Sequence, residues 1–202
     1  YTLQALDLET GELAWRREFA YDPETQELSL STGDLQKPGG DDKKAARGVA
    51  PAAGTPHRGG LILPINVRAE KQVLCYLARI DKEGELLWKT YLGSKDNADF
   101  LGLGSTPSPP LVIEQNVLYL ANHGFISSVD AEDGTIAWIK EYDSLSPRGL
   151  KESIRDENRW HPSALIPAGN GDVIAAPQDS TRLLSIRASD GTTTWSCSRE
   201  EH

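Results

Sequence analysis

The chain has 202 residues, of which 38% are apolar and 25% charged, and its formal net charge is −9. This composition is typical of a folded domain, and no apolar run approaches the ~18–20 residues of a membrane-spanning helix. Phosphate recognition needs clustered Lys and Arg, and the one compact basic run (41–47) also carries aspartates, so the charge argues against a nucleic-acid partner.

The first predicted elements are two strands joined by an acidic turn, "ALDLETGELAW" (5–15), and the same offset from glycine to tryptophan recurs three more times. The pairs are Gly11–Trp15, Gly84–Trp88, Gly134–Trp138 and Gly191–Trp195. Glycine tolerates the positive φ of a tight turn, so each pattern predicts a short turn followed by a strand. We expect each tryptophan to lie largely buried against a neighbouring sheet, with its indole N–H bonded to a main-chain carbonyl.

Further strand-like runs precede the later tryptophans. Prolines stand 32, 31 and 33 residues before Trp88, Trp138 and Trp195, and we expect each to open an inner strand. The prolines and their runs are Pro56 with 61–67, Pro107 with 110–121, and Pro162 with 164–176. Turn residues at Asn116 and 169–172 divide the last two runs into pairs of strands. Each unit therefore reads as four short antiparallel strands.

Repeated four-stranded units of this length predict an all-β fold, a β-propeller of four-stranded antiparallel blades. Residues 1–202 are expected to form one propeller segment of about three and a half blades. The blade parts are 1–19, 55–91, 106–141 and 161–200, and the insertions are 20–54, 92–105 and 142–160. Because closing the ring removes unpaired edges, we expect a longer natural protein with seven or eight blades, the number that the family described next implies.

The pattern "ALDLETGELAW" resembles the tryptophan-docking repeat of pyrroloquinoline-quinone-type (PQQ-type) β-propellers, Ala-x-Asp-x-x-Thr-Gly-x-x-x-Trp. The resemblance extends over essentially the whole chain. Individual repeats depart from it, with Ser128, Ser185 and Arg79 at the alanine position and Arg187 at the aspartate position. The residues after the tryptophans are never aspartate, which excludes a WD40 repeat.

The long insertions all follow a fourth strand, so they are expected on one face of the propeller, where function tends to lie on a rigid scaffold. Polar residues beside the proline positions are predicted to rim the central channel on this face, joined by His123 of the connection 122–124 and by Arg159 and Trp160 of the loop 155–163. They form a ligand-binding site or are solvated loop ends. The candidates are His57, Thr106, Ser108, His123, Arg159, Trp160, His161 and Ser163. Trp160 either stacks on a planar ligand or closes the loop against the channel, and no metal-binding motif is present.

Three secondary expectations concern the insertions and the cysteines. The middle of the first insertion, 39–54, is expected to be mobile, as a solvated loop or a lid. Any helix is expected within 144–160 or 19–55. Cys75 and Cys197 are too few for a disulfide framework and are expected to be unpaired thiols.

Function rests on the resemblance, and three interpretations follow from it. The first is a non-catalytic scaffold that presents its loop-rich face to another protein, with no cofactor. The second is a quinone-dependent alcohol or sugar dehydrogenase holding PQQ and calcium, although no adjacent cysteine pair or calcium-ligand set is found. The third is a carbohydrate- or small-molecule-binding propeller. The resemblance also implies a bacterial protein in the periplasm or outside the cell; we favour the scaffold.

Overall fold

The computed structural model describes residues 2–32, 49–51, 53–69, 72–96, 109–120, 124–145 and 163–198. Within these ranges the chain forms strands and turns, arranged in four antiparallel sheets. The first sheet contains β1 (Thr2–Leu6), β2 (Leu13–Asp22) and β3 (Glu27–Thr32). The second contains β4 (Val49–Pro51), β5 (Thr55–His57), β6 (Gly60–Arg68), β7 (Gln72–Ile80) and β8 (Leu86–Asp96). The third contains β9 (Leu111–Ile113), β10 (Asn116–Leu120), β11 (Phe125–Asp130) and β12 (Ile136–Glu141). The fourth contains β13 (Ala164–Pro167), β14 (Asp172–Ala176), β15 (Arg182–Arg187) and β16 (Thr193–Ser198).

Sequential strands pair with each other in the third and fourth sheets, which gives the predicted four-stranded meander. The second sheet departs from this pattern because its first strand is split into β4 and β5, both paired with β6. The first sheet has three strands, and β3 pairs with β2 on the side away from β1. The prediction of an all-β fold built from blades is confirmed, and the described sheets do not close into a ring.

The acidic turns have the predicted glycine conformation. The four glycines that precede the tryptophans have φ between +72° and +80°. In the turn of the first sheet, the Asp7 carboxylate accepts hydrogen bonds from the main-chain N–H groups of Thr10 (2.8 Å) and Glu9 (2.9 Å), which lower the pKa of Asp7. Trp15 pairs with Ala5 across the two strands, and the register shifts between Ala5 and Leu6, next to the turn. Local turn chemistry thus fixes which strand position carries the tryptophan.

The apolar core lies between consecutive sheets. All residues of β7 from Val73 to Ile80 are buried, because the first sheet covers one face of the second and the third sheet covers the other. Two apolar clusters join the third and fourth sheets. One contains Leu120 and Ile126 with Leu184 and Ile186, and the other contains Leu118 with Val173 and Ala188. A flat sheet buried on both faces reads as a continuous apolar run, as in "VLCYLA" of β7.

We use the word seam for the contact between a tryptophan and the glycine turn of the next sheet. In the first seam the Trp15 indole N–H donates to the Lys82 carbonyl (2.7 Å), and a Cβ built on Gly84 would lie 2.7 Å from the ring. In the second seam Trp88 donates to the Ala131 carbonyl (3.1 Å) and its ring lies against Gly134. In the third seam Trp138 donates to the Ala188 carbonyl (3.0 Å) and lies against Gly191.

The two ends of this series are open. Trp195 is 44% exposed, whereas Trp88 is 8% exposed, so the expectation that all four tryptophans are largely buried is wrong for Trp195. Within the described residues, no sheet packs against this side of the fourth one. At the other end, a Cβ on Gly11 would meet nothing within 4 Å, so no described sheet packs against this turn.

The first insertion contains strands where a loop was expected. β2 continues to Asp22 and β3 returns beside it, and this hairpin places Phe19, Tyr21 and Leu28 in the core against the second sheet. Part of the segment expected to be mobile, 39–54, belongs to β4, while 39–48 lies outside the described residues. The helix expected within 144–160 also falls almost wholly outside them. No described segment is a helix long and apolar enough to cross a membrane.

Candidate functional site

Two faces can be defined from the connections between strands. The short-turn face carries the acidic glycine turns, such as 131–135 and 188–192. The long-loop face carries the opposite ends of the strands, including the connection 177–181 between β14 and β15 and residues 142–145 after β12. Binding sites usually lie on loops that converge on one face of a rigid scaffold, which makes the long-loop face the first candidate.

The connection 177–181 in the fourth sheet is polar in sequence and yet buried. Gln178, Asp179 and Ser180 all lie below the surface, and Asp179 is only 2% exposed. Charged side chains are rarely buried unless they are hydrogen-bonded. The surroundings of Asp179 therefore show how the long-loop face is built.

Asp179 joins the fourth sheet to the third. One carboxylate oxygen accepts a hydrogen bond from the Tyr142 hydroxyl (2.6 Å), and the other accepts one from the Gly124 N–H (3.2 Å). The Asp179 carbonyl accepts a third from the Leu145 N–H (2.6 Å). Burial raises the pKa of Asp179, and it also raises the pKa of Tyr142 well above its usual range, with the nearby Asp179 charge acting in the same direction. Three connections of the long-loop face are thus held together by one residue.

Ser163 and Gln178 lie in the same region. The Gln178 N–H donates to the Ser163 hydroxyl oxygen (2.9 Å), and both side chains are buried. The Gln178 side-chain carbonyl oxygen is buried and has no hydrogen-bond partner in the described part of the chain. A buried acceptor without a partner costs about 1–3 kcal/mol.

The structure places His57 on the opposite face from Ser163. Pro56 pairs with Leu61 inside β5, beside the turn at 58–59, so it does not open an inner strand as the proline spacing predicted. His57 consequently lies on the short-turn face, with its Nε2 atom 3.7 Å from a carboxylate oxygen of Glu132. The spacing misled because β6 and β7 are nine residues long, whereas β10, β11, β14 and β15 have five or six. The same offset from the tryptophan therefore reaches the opposite end of the inner strand.

The remaining candidates for the channel rim lie outside the described residues. They are Thr106, Ser108, His123, Arg159, Trp160 and His161. Ligand binding by these residues, and by His57 and Ser163, stays a prediction.

Around His57 the structure shows an ionic cluster between the second and third sheets. Arg79 is buried, and its Nη1 atom donates to the Ala131 carbonyl (2.8 Å) and to Glu132 (3.3 Å). Arg58 also donates to Glu132. The pKa of Glu132 is lowered overall: slight burial acts to raise it, and the hydrogen bond from Arg79 and the positive charge of Arg58 outweigh that effect. The Ala131 carbonyl accepts from Arg79 and from Trp88, so the cluster supports the second seam.

Sequence reasoning missed Asp179, Tyr142 and Gln178 as site residues. The connection 177–181 was assigned to the correct face, but its composition is that of an ordinary exposed turn. The useful signal was Tyr142, a large aromatic residue directly after the last strand of its sheet, where a buried partner for its hydroxyl is expected.

We tested whether the described residues fit a calcium and quinone site. In the described ranges, no three His, Cys, Asp or Glu side chains are close enough to hold a metal ion. Cys75 and Cys197 are both free thiols and belong to different sheets. Burial raises the pKa of Cys75 to about 12. The described residues therefore do not fit such a group, and no catalytic step is derived through it.

Four antiparallel sheets stacked through repeated tryptophan–glycine seams define the class of the protein: an open segment of a β-propeller. Residues 1–201 match the family model described as outer membrane protein assembly factor BamB. The chain therefore belongs to this family of PQQ-type propeller repeats. None of the curated proteins compared with the chain matches it.

Several solved structures are similar to the chain. BamB from Moraxella catarrhalis is 17% identical, with a TM-score of 0.43 over 68% of this chain and 33% of that one. The quinohemoprotein alcohol dehydrogenase ADHIIG from Pseudomonas putida HK5 is 14% identical, with a TM-score of 0.49 over 98% of this chain and 31% of that one. The corresponding enzyme from Comamonas testosteroni is 15% identical, with a TM-score of 0.43 over 98% and 32%. The chain spans about a third of the length of these proteins, and the fold assignment rests on its own strands and on the family match.

Proposed function

We propose that the chain is part of a non-catalytic β-propeller scaffold whose long-loop face binds another protein. The observation that carries this proposal is the Asp179 cluster, which joins the connections at Gly124, 142–145 and 177–181. Binding surfaces formed by loops lose less entropy on association when the loops are already held in place. The cluster holds three connections in place and brings together no metal-ligand set.

The family supports a protein partner. The matching model is described as an outer membrane protein assembly factor, which is a role among proteins. By the same likeness we propose a location outside the cytoplasm, in the periplasm or at the cell surface. We also propose that further blades of a longer chain cover Trp195 and occupy the open side of Gly11, giving the seven or eight blades that the repeat family implies.

Site-specific photo-cross-linking in the source cells tests the face that binds. A photoreactive amino acid is introduced at Ser144, which is exposed on the long-loop face, and separately at Glu9, which is exposed in a short turn. We expect one discrete cross-linked protein from position 144 and none from position 9. The same partner from both positions, or from position 9 alone, would contradict the proposal.

A further inference from the structure

The seam between the third and fourth sheets contains a groove. This groove has a volume of ≈ 420 Å³ and is open to solvent. It is lined by Trp138, Ile139 and Lys140 from β12 and by residues 190–193 of the next turn. It lies on the outer rim beside the short-turn face, apart from the long-loop face of the proposed function.

In the first seam the corresponding space holds the side chain of Arg17, two residues after Trp15. Its Nε atom donates to the Gly84 carbonyl (2.9 Å), and its Nη2 atom donates to the Glu83 carbonyl (3.1 Å) and to the Glu85 carboxylate (2.6 Å). The guanidinium carbon lies 5.9 Å from the centroid of the Trp15 ring. The seam thus binds a guanidinium through main-chain carbonyls, a carboxylate and an aromatic ring.

The equivalent residue differs in the other seams. In the second seam Thr90 donates to the Gly134 carbonyl (2.6 Å). In the third seam the equivalent residue is Lys140, and among the described residues nothing donates to the Gly191 carbonyl and nothing accepts from the Lys140 ammonium. The carbonyl oxygen of the turn glycine thus accepts a side-chain hydrogen bond in the first two seams, and in the third it has no such donor among the described residues.

We propose that this third-seam groove binds an arginine side chain of a partner protein, in the way that the first seam binds Arg17. The Gly191 and Asp190 carbonyls correspond to the two main-chain acceptors of Arg17, and the Trp138 ring corresponds to Trp15. Thr192 stands where Glu85 supplies its carboxylate in the first seam, so the match covers the carbonyls and the ring and not the carboxylate. A planar guanidinium matches several fixed acceptors at once, which an ammonium does not.

Two neighbouring features narrow the kind of partner. Ile139 is 44% exposed at the edge of the groove, and Ile136 is exposed on the same strand. An arginine next to an apolar side chain would therefore be bound better than an isolated arginine. The chain is acidic overall, with 30 Asp and Glu against 21 Lys and Arg, which favours approach of a cationic segment.

The test uses N-acetyl-arginine methylamide as a probe, with the lysine and glutamate analogues as comparisons. Binding to the full chain is followed by NMR at the indole N–H resonance of Trp138, with those of Trp15 and Trp88 as internal references. We expect the Trp138 resonance to shift, with affinity for the arginine probe about tenfold higher than for the lysine probe. Equal affinity for the arginine and lysine probes, or a shift of the Trp138 resonance with the glutamate probe alone, would overturn the proposal.

Two substitutions at the half-buried Lys140 make the test specific. Lys140→Arg supplies the guanidinium from within the chain, so we expect it to weaken probe binding at least about tenfold, because an intramolecular group acts at high effective concentration. Lys140→Ser removes a competing cation without filling the groove, so we expect it to strengthen binding. Changes of the same sign in both variants would contradict the proposal.

The first seam offers a matched control. Arg17→Ser should create the same groove beside Trp15, and the arginine probe should then shift the Trp15 resonance as well. The arginine probe could shift the Trp138 resonance even if cross-linking from position 144 captures no protein. That result would support the arginine-binding groove and contradict the proposed long-loop binding face, so the two proposals can be distinguished.

Discussion

Substituting Gly134 by alanine should destabilise the protein far more than the same change at Gly11. Both glycines have a positive φ, +76° at Gly134 and +73° at Gly11, and both belong to the same type of turn. Their surroundings differ. A Cβ on Gly134 would lie 2.7 Å from the Trp88 ring and 2.7 Å from the Thr90 hydroxyl oxygen, whereas a Cβ on Gly11 would meet nothing within 4 Å.

The expected magnitudes follow from these two facts. Alanine in the left-handed conformation costs ~1–2 kcal/mol, and this cost applies to both variants. Overpacking against a buried tryptophan adds ~1–3 kcal/mol, and this cost applies to Gly134→Ala alone. Gly11→Ala should therefore lose ~1–2 kcal/mol and Gly134→Ala ~2–5 kcal/mol.

Urea denaturation of the wild type and both variants measures the difference directly, provided that the slopes of the transitions agree. Gly191→Ala is a second positive case, because its Cβ would lie 2.8 Å from Trp138. Equal losses in Gly11→Ala and Gly134→Ala would show that the glycines are needed only for the turn, and the packing argument for the seams would be wrong.

Three further predictions concern single residues. Trp88→Ala should lower the free energy of unfolding by ~3–5 kcal/mol. Trp195→Ala should lower it by less than about 1 kcal/mol, because Trp195 is half exposed in this chain. Comparable losses of the two variants in urea denaturation would contradict the exposed position of Trp195. Because burial raises the folded-state pKa of Asp179 above the ordinary value of 3.8, its contribution to stability is fully present below that value and is lost as the pH rises through the folded-state pKa. The stability of Asp179→Asn relative to wild type should therefore improve from pH 4 to pH 7, and a difference independent of pH would refute this. Native protein should expose one reactive thiol to a disulfide reagent, Cys197, because Cys75 is buried with a pKa raised to about 12; rapid reaction of both would contradict the core packing.

The elements that follow from local chemistry could be predicted from the sequence. The glycine turns and the strands that carry Trp15, Trp88, Trp138 and Trp195 follow from residue spacing alone, because the φ of a tight turn and the period of a strand are local properties. The greater length of β6 and β7 has no such local signal, and it placed His57 on the other face.

Burial by distant residues could not be predicted in the same way. Asp179 lies in a turn whose composition is ordinary, and its burial depends on Tyr142 and Gly124 of the preceding sheet. The exposure of Trp195 likewise depends on whether another sheet follows, although its spacing equals that of Trp88. Spacing identifies the position of a residue in a blade, and its neighbours decide what that position does.

Hydrogen exchange of the protein with and without the partner identified by cross-linking tests the central claim most directly. The account predicts that partner binding slows exchange in the long-loop face, at 142–145 and 177–181. Exchange in the short turns at 7–12 and 131–135 should stay unchanged. Protection of the short turns, with no change at 142–145 and 177–181, would contradict the assignment of the binding face.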